Sequence, residues 1–349
     1  MKNKNFFKIN IIYLIAISLV AIIFAFGYLG LMQNEFIATF LIQIIVMFAI
    51  PMLLYTLFVS KSYNKTFSDT GLKKISFKII IISFILGVAL YIINTFVADL
   101  FQIIIQVFGY ENISSSQTIT LDYGTLLKEF VLSAILPAIC EEFLHRGIML
   151  MTSRKYHNPR IALITSSLIF GLIHLNINQF FYAGILGLMI GYVALISDSI
   201  IPCMIIHFMN NFLSTYFYYG HYMKFPLVQI VEAIESVFMS NIMLYILANT
   251  LILALAIWTY IYFTRKIIIE RVKSKMFKTI NSLKLENSTA EEAQSKLNEI
   301  NYIISHSNSA KSVIINNGEK SNFVDKIPLI LSIILGVLIT ISSFIWGII

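Results

Sequence analysis

The stretch AICEEFLHRGIML, residues 138–150, sets two adjacent glutamates, a histidine and an arginine inside an apolar run long enough to cross a membrane. An ionisable side chain at bilayer depth costs about 2.5 to 3.5 kcal/mol on insertion scales, so each such residue marks a candidate functional site. Glu142 and Arg146 are spaced i, i+4 with the acid on the N-terminal side, the better orientation for a helical ion pair. Glu141, about 100° further round a helix, is left without a partner on its own helix except neutral His145 one turn on. One carboxylate is thereby held back for chemistry.

Two later apolar segments carry isolated histidines: His174 in FGLIH and His207 in HFMNN, where His207 and Asn211 share a helix face at i, i+4. At a rise of about 1.5 Å per residue, Glu141, His174 and His207 lie about 16, 21 and 14 Å from the expected cytoplasmic ends of their helices. These depths are compatible with one site once helix tilt closes the difference. A carboxylate base, two imidazoles and a carboxamide on three helices are the parts needed for hydrolysis: a group to deprotonate water and donors for a tetrahedral oxyanion. Each residue alone has a plainer explanation, as an interhelical hydrogen-bonder or, for Glu142 and Arg146, as structural glue; the conjunction is harder to explain that way. Cys140 and Cys203 fall within apolar segments and read as small buried hydrophobes, with no disulfide framework.

These residues resemble a known family. Glu141, Glu142 and Arg146 match EExxxR, Phe170 and His174 match FxxxH, and His207 and Asn211 match HxxxN, in the family's order and spacing. The pattern resembles the CPBP family (CAAX protease and bacteriocin-processing), also called Abi or type II CAAX prenyl endopeptidase-like proteins, over roughly residues 124–217. The resemblance implies an intramembrane endopeptidase of bundled helices whose cavity opens toward the cytosol. Carried over, Glu141 is the general base, His174 positions or activates the water, His207 and Asn211 form the oxyanion hole, and Glu142 with Arg146 orients them. His145 stands at a variable position of the family pattern.

The elements that must position these groups are membrane helices. Of 349 residues, 58% are hydrophobic and only 12% charged, and runs of about 20 apolar residues, enough to cross a bilayer, recur along the chain. Nine spans are expected, near 9–32, 36–59, 75–98, 124–151, 161–177, 180–196, 199–219, 241–264 and 328–348: an all-α polytopic bundle with its N-terminus inside. The first follows MKNKNFFK, which resembles a signal-peptide n-region, but its apolar run is too long and lacks an Ala-x-Ala cleavage site, so a retained anchor is expected. The net charge of +7 reflects topology and not nucleic-acid binding: basic residues crowd the N-terminus, 61–74, 154–160 and 265–275, all expected in the cytoplasm. The intervening loops are neutral or acidic. Ala183, Gly187 and Gly191 recur every fourth residue, a stripe that lets helices approach closely.

The chain is expected to divide into N-terminal helices (1–123), a protease core (124–220), an outer loop with the eighth span (221–264), a basic cytoplasmic segment (265–327) and a last span (328–349). In the basic segment, Ser288 and Glu291 have capping-box spacing before an amphipathic stretch with Leu297, Ile300 and Ile304. The expected activity is hydrolysis of a peptide or protein near the cytoplasmic side of the membrane. By analogy alone, and because an Ile, Asn and Lys bias points to an AT-rich bacterial genome where prenylated substrates are not expected, the role is peptide maturation or bacteriocin-related immunity. A proton-coupled transporter using the same groups, or a non-catalytic scaffold, are the alternatives from other classes. No cofactor is assigned, and zinc stays open as an alternative. Glu141, His174 and His207 could supply a His₂Glu zinc set, but no His-Glu-x-x-His is present and each ligand lies on a separate helix, so a glutamate-dependent mechanism is favoured.

Overall fold

The computed structural model describes residues 4–28, 34–111, 122–156, 158–285 and 321–347, with scattered positions between 291 and 302. Ser288, Ile300 and Ile304 lie outside the described residues. Among those described, helices account for all regular structure and there is no strand. Seven helices are long and apolar enough to cross a membrane: α1 (Lys4–Tyr28), α2 (Phe36–Ser60), α4 (Phe77–Val107), α5 (Tyr123–Met151), α7 (Ile177–Ser197), α10 (Ile242–Leu285) and α11 (Phe323–Trp346). Between them stand α3 (Tyr63–Asp69), α6 (Pro159–Leu172), α8 (Ile201–Tyr222) and α9 (Pro226–Met239). The protein is a polytopic helical membrane bundle.

Local chemistry sets many of the boundaries. Asn34, Ser76, Asp122, Asn158 and Asn176 each accept a hydrogen bond from a first-turn backbone N–H at the start of α2, α4, α5, α6 and α7. Proline occupies the opening turn of α6, α8 and α9, where its missing N–H costs nothing. Two differences from the expected spans follow from composition. α10 does not stop at residue 264, because the Lys-, Arg- and Glu-containing stretch after it retains good helix propensity, and the helix runs on to Leu285. α9 occupies what hydropathy read as an outer loop: Leu227, Ile230, Val231, Ile234 and Val237 are exposed on one face, with Gln229, Glu232 and Ser236 on the other.

The stripe on α7 is a packing surface. A Cβ at Gly187 would stand 3.1 Å from Phe170 and 3.3 Å from Ser167, and one at Gly171 would stand 2.5 Å from the Phe180 carbonyl oxygen. Small residues thus bring α6 and α7 together and carry Phe170 and His174 to the bundle interior. α1 and α11 pack side by side, and the Asn10 amide donates to the Asp325 carbonyl at 2.8 Å.

One end of the bundle is tied by a single carboxylate. Asp198, in the left-handed conformation just past α7 (φ 56°), accepts from Lys73 at 2.8 Å, Arg154 at 2.5 Å and Arg271 at 2.6 Å. Burial pushes its carboxyl up, but Arg154 and Lys73 outweigh that and hold it at about 2. The basic segments before α4, after α5 and along α10 therefore meet at one face, as the charge pattern requires.

Candidate active site

The helix that carries the glutamates changes its winding beside them. Regular α-turns over Leu136–Glu142 give way to a π-helical stretch, Phe143–Met151, a wider form often found at functional sites. Adjacent side chains on this helix point in different directions, and the two glutamates meet different neighbours.

Glu142 faces the interior and is fully buried. Its Oε1 accepts from Arg146 Nη1 at 2.8 Å and from His207 Nδ1 at 2.8 Å. Arg146, 1% exposed, lies over the Phe170 ring at 4.1 Å from its centroid and donates from Nη2 to the Gly187 carbonyl at 3.4 Å. The ion pair read from the i, i+4 spacing is present, and its acid also holds a histidine of α8.

Glu141 turns the other way, into a cavity of about 400 Å³. Its Oε1 accepts from Gln43 Nε2 at 2.7 Å. His174, His207 and Asn211 line the same cavity, so the structure brings together all four residues expected to carry catalysis. Phe170 stands among the imidazoles, its ring edge-to-face with those of His145, His174 and His207. Glu142 and Arg146 stand behind the cavity rather than on its wall.

Hydrogen bonds settle how the imidazoles are presented. His174 Nδ1 lies 2.8 Å from the Phe170 carbonyl oxygen, and His207 Nδ1 faces the Glu142 carboxylate. Both partners are acceptors, so each ring carries its proton on Nδ1 when neutral and keeps a lone pair on Nε2. Asn211 Nδ2 donates to the Ser133 carbonyl at 2.8 Å, while its Oδ1 accepts from Asn210 Nδ2 at 2.9 Å. One amide hydrogen of Asn211 is left for a ligand.

Anchoring Nδ1 on a carbonyl or carboxylate is also how proteins present histidine to a metal. Among the described residues, however, no three His, Cys, Asp or Glu side chains come together closely enough to hold an ion. The arrangement does not fit a His₂Glu centre.

One polar residue of the cavity, Gln43, is not among those the motifs select. Gln43 is a lone amide in the apolar run LIQIIVMFA on α2, a signal of the kind that marks functional positions in membranes. Its Oε1 is buried without a protein partner. His145 does not face the cavity: it is fully buried, hydrogen-bonded to Tyr13 of α1, and Ser166 donates to its carbonyl at 2.8 Å. It joins α1 to the helix that carries the glutamates. Cys140 and Cys203 are buried and unpaired.

Comparison with known proteins agrees with the geometry. No curated protein and no solved structure matches the chain. Residues 124–213, which contain every motif residue of the cavity, match the family model described as Type II CAAX prenyl endopeptidase Rce1-like. The central block of this membrane bundle is thus recognised as similar to the CPBP/CAAX protease family, which supports a CAAX-type intramembrane protease.

Proposed function

We propose that this protein is an intramembrane endopeptidase in which Glu141 is the general base. The observation that carries the reading is one cavity lined by Glu141, His174, His207 and Asn211, with Gln43 donating to the base.

A peptide carbonyl entering the cavity is attacked by a water whose proton passes to Glu141 as the carbon–oxygen bond forms. Gln43 fixes the carboxylate by donating its amide N–H to Glu141. His174 Nε2 lies on the same wall and orients the water. The tetrahedral oxyanion takes the remaining amide hydrogen of Asn211 and, when His207 is protonated, the Nε2–H of its imidazolium. Glu142 supports that imidazolium through Nδ1, and Arg146 holds the Glu142 carboxylate in place. Glu141 then returns its proton to the departing amine as the carbon–nitrogen bond breaks.

The substrate is a peptide or protein segment within the membrane, and the role is peptide maturation or bacteriocin-related processing or immunity in a bacterial cell membrane. Glu141→Gln preserves shape but cannot take the water's proton. Mass spectrometry of membrane peptides should show products in cells carrying the native protein and none with the variant, at equal protein abundance. Product formation by Glu141→Gln at native levels would remove the assignment.

A further inference from the structure

α9 (Pro226–Met239) lies outside the block that carries the site, and its residues sort onto three sides. At about 100° per residue, Leu227, Ile230, Val231, Ile234 and Val237 fall within an arc of about 120°, with Gln229, Glu232 and Ser236 within an arc of about 60° opposite it. The third side holds the helix to its neighbours. Val228 is buried against Gly220 of α8, where an added Cβ would stand 2.5 Å from its Cγ2, and Glu235 accepts from the Tyr245 hydroxyl of α10 at 3.4 Å. The five apolar residues of the first arc remain between 40% and 65% exposed.

The contacts show how α9 runs. Val228 and Glu232 are a full turn apart on α9, about 6 Å, yet they meet adjacent residues of α8: Val228 meets Gly220, and Glu232 Oε1 accepts from His221 Nδ1 at 2.6 Å. α9 therefore crosses the last turn of α8 instead of folding back along it. That turn stands at the bundle end remote from Asp198, because α8 begins at Ile201 and its 22 residues extend about 33 Å. This is enough to cross a hydrocarbon core of about 30 Å. Exposed Tyr218 and Tyr222 mark the same level as a membrane–water boundary, where tyrosine collects. From there α10 runs back to Asp198, which Arg271 reaches, and among the described residues Ala256 is the first on α10 to be buried.

We propose that α9 lies flat in the headgroup layer of the leaflet remote from Asp198, with acyl chains against its apolar arc and with Gln229, Glu232 and Ser236 in water. A helix with a wide apolar arc and a polar, charged face opposite takes this position in a bilayer. The arc leads directly into the start of α10, a membrane span whose Ile242, Met243, Ile246 and Leu247 are exposed, so the lipid that covers one covers the other. Among the described residues Val228 is the only one of α9 that is buried. Protein packing therefore covers little of the helix, and the bilayer supplies the rest of its apolar cover.

Spin labels on single introduced cysteines test this with the purified full-length chain in vesicles of phosphatidylethanolamine and phosphatidylglycerol. Cys140 and Cys203 are buried and give little background. Labels at Leu227, Ile230, Val231, Ile234 and Val237 should collide with lipid-soluble oxygen in preference to a water-soluble nickel chelate. Labels at Gln229 and Ser236 should show the reverse, so the ratio of the two collision rates should oscillate with the helical period of about 3.6 residues. With this many positions, a variant that fails to fold leaves the period readable from the others. Nickel access at the apolar positions equal to that at Gln229 and Ser236 places the helix in water and overturns the proposal. Low access to both reagents at the apolar positions, with or without dipolar broadening between labels on neighbouring copies, means that protein covers the face and also overturns it.

Discussion

His207 Nδ1 lies 2.8 Å from Glu142 Oε1, the same oxygen that accepts from Arg146. The histidine of the third motif is therefore held by the second glutamate of the first, while Glu141 is held by Gln43. The paired glutamates divide between two environments: one holds Arg146 and His207 behind the cavity, and the other faces the cavity.

Arg146→Ala should destabilise the protein as well as inactivate it. Removing one partner of a buried ion pair costs about 3 to 5 kcal/mol, because the surviving charge is left unpaired. Arg146→Lys should recover only part of this, since an ammonium lacks the planar fork that reaches Glu142 and lies flat on Phe170. Thermal unfolding in detergent measures both, and native stability in Arg146→Ala would count against the pair.

Gln43→Leu keeps the volume of the side chain but loses the donor to Glu141. The expected result is a fall in kcat of roughly tenfold to a hundredfold, from about 1.4 to 2.7 kcal/mol of lost positioning, with KM little changed. A shift in the pH profile of kcat should accompany it, which a packing defect would not produce. An unaltered kcat removes Gln43 from the site.

Asp198 links acid stability to the basic end of the bundle. Its carboxyl is held at about 2 in the folded protein, below an unfolded value of about 3.9. A depressed acid contributes stability above the unfolded value and loses it as pH falls through the folded one. The native protein should therefore lose this contribution between about pH 4 and pH 2. Asp198→Asn should be less stable at neutral pH, by about 1 to 3 kcal/mol for three cations left with poorer acceptors, and should show a smaller acid loss. Denaturation midpoints across that range decide it.

Elemental analysis of active, purified protein addresses the metal. A carboxylate base with amide and imidazolium donors can hydrolyse a peptide unaided, so cleavage should survive a strong chelator. Near-stoichiometric zinc whose removal abolishes cleavage and whose return restores it would make His174 and His207 ligands instead.

Much of the site was legible in the sequence because charge in an apolar helix is conspicuous and helical spacing is fixed. Glu141, Glu142, Arg146, His174, His207 and Asn211 all stand out on those grounds, and the 3.6-residue period alone predicts the pairing of Glu142 with Arg146. Hydropathy likewise determined the all-helical membrane architecture, and alternating charge predicted that Lys73, Arg154 and Arg271 share a face. α9 escaped notice because its apolar residues are interleaved with Gln229, Glu232 and Glu235, which keeps it below the threshold of a span. Which residues meet across helices was decided only by tertiary structure. The contacts of Gln43 with Glu141, Tyr13 with His145 and His207 with Glu142 depend on how each helix is rotated and how closely it approaches its neighbours. Those quantities are set by packing, as where Gly171 and Gly187 draw α6 against α7; no local spacing in the sequence encodes them.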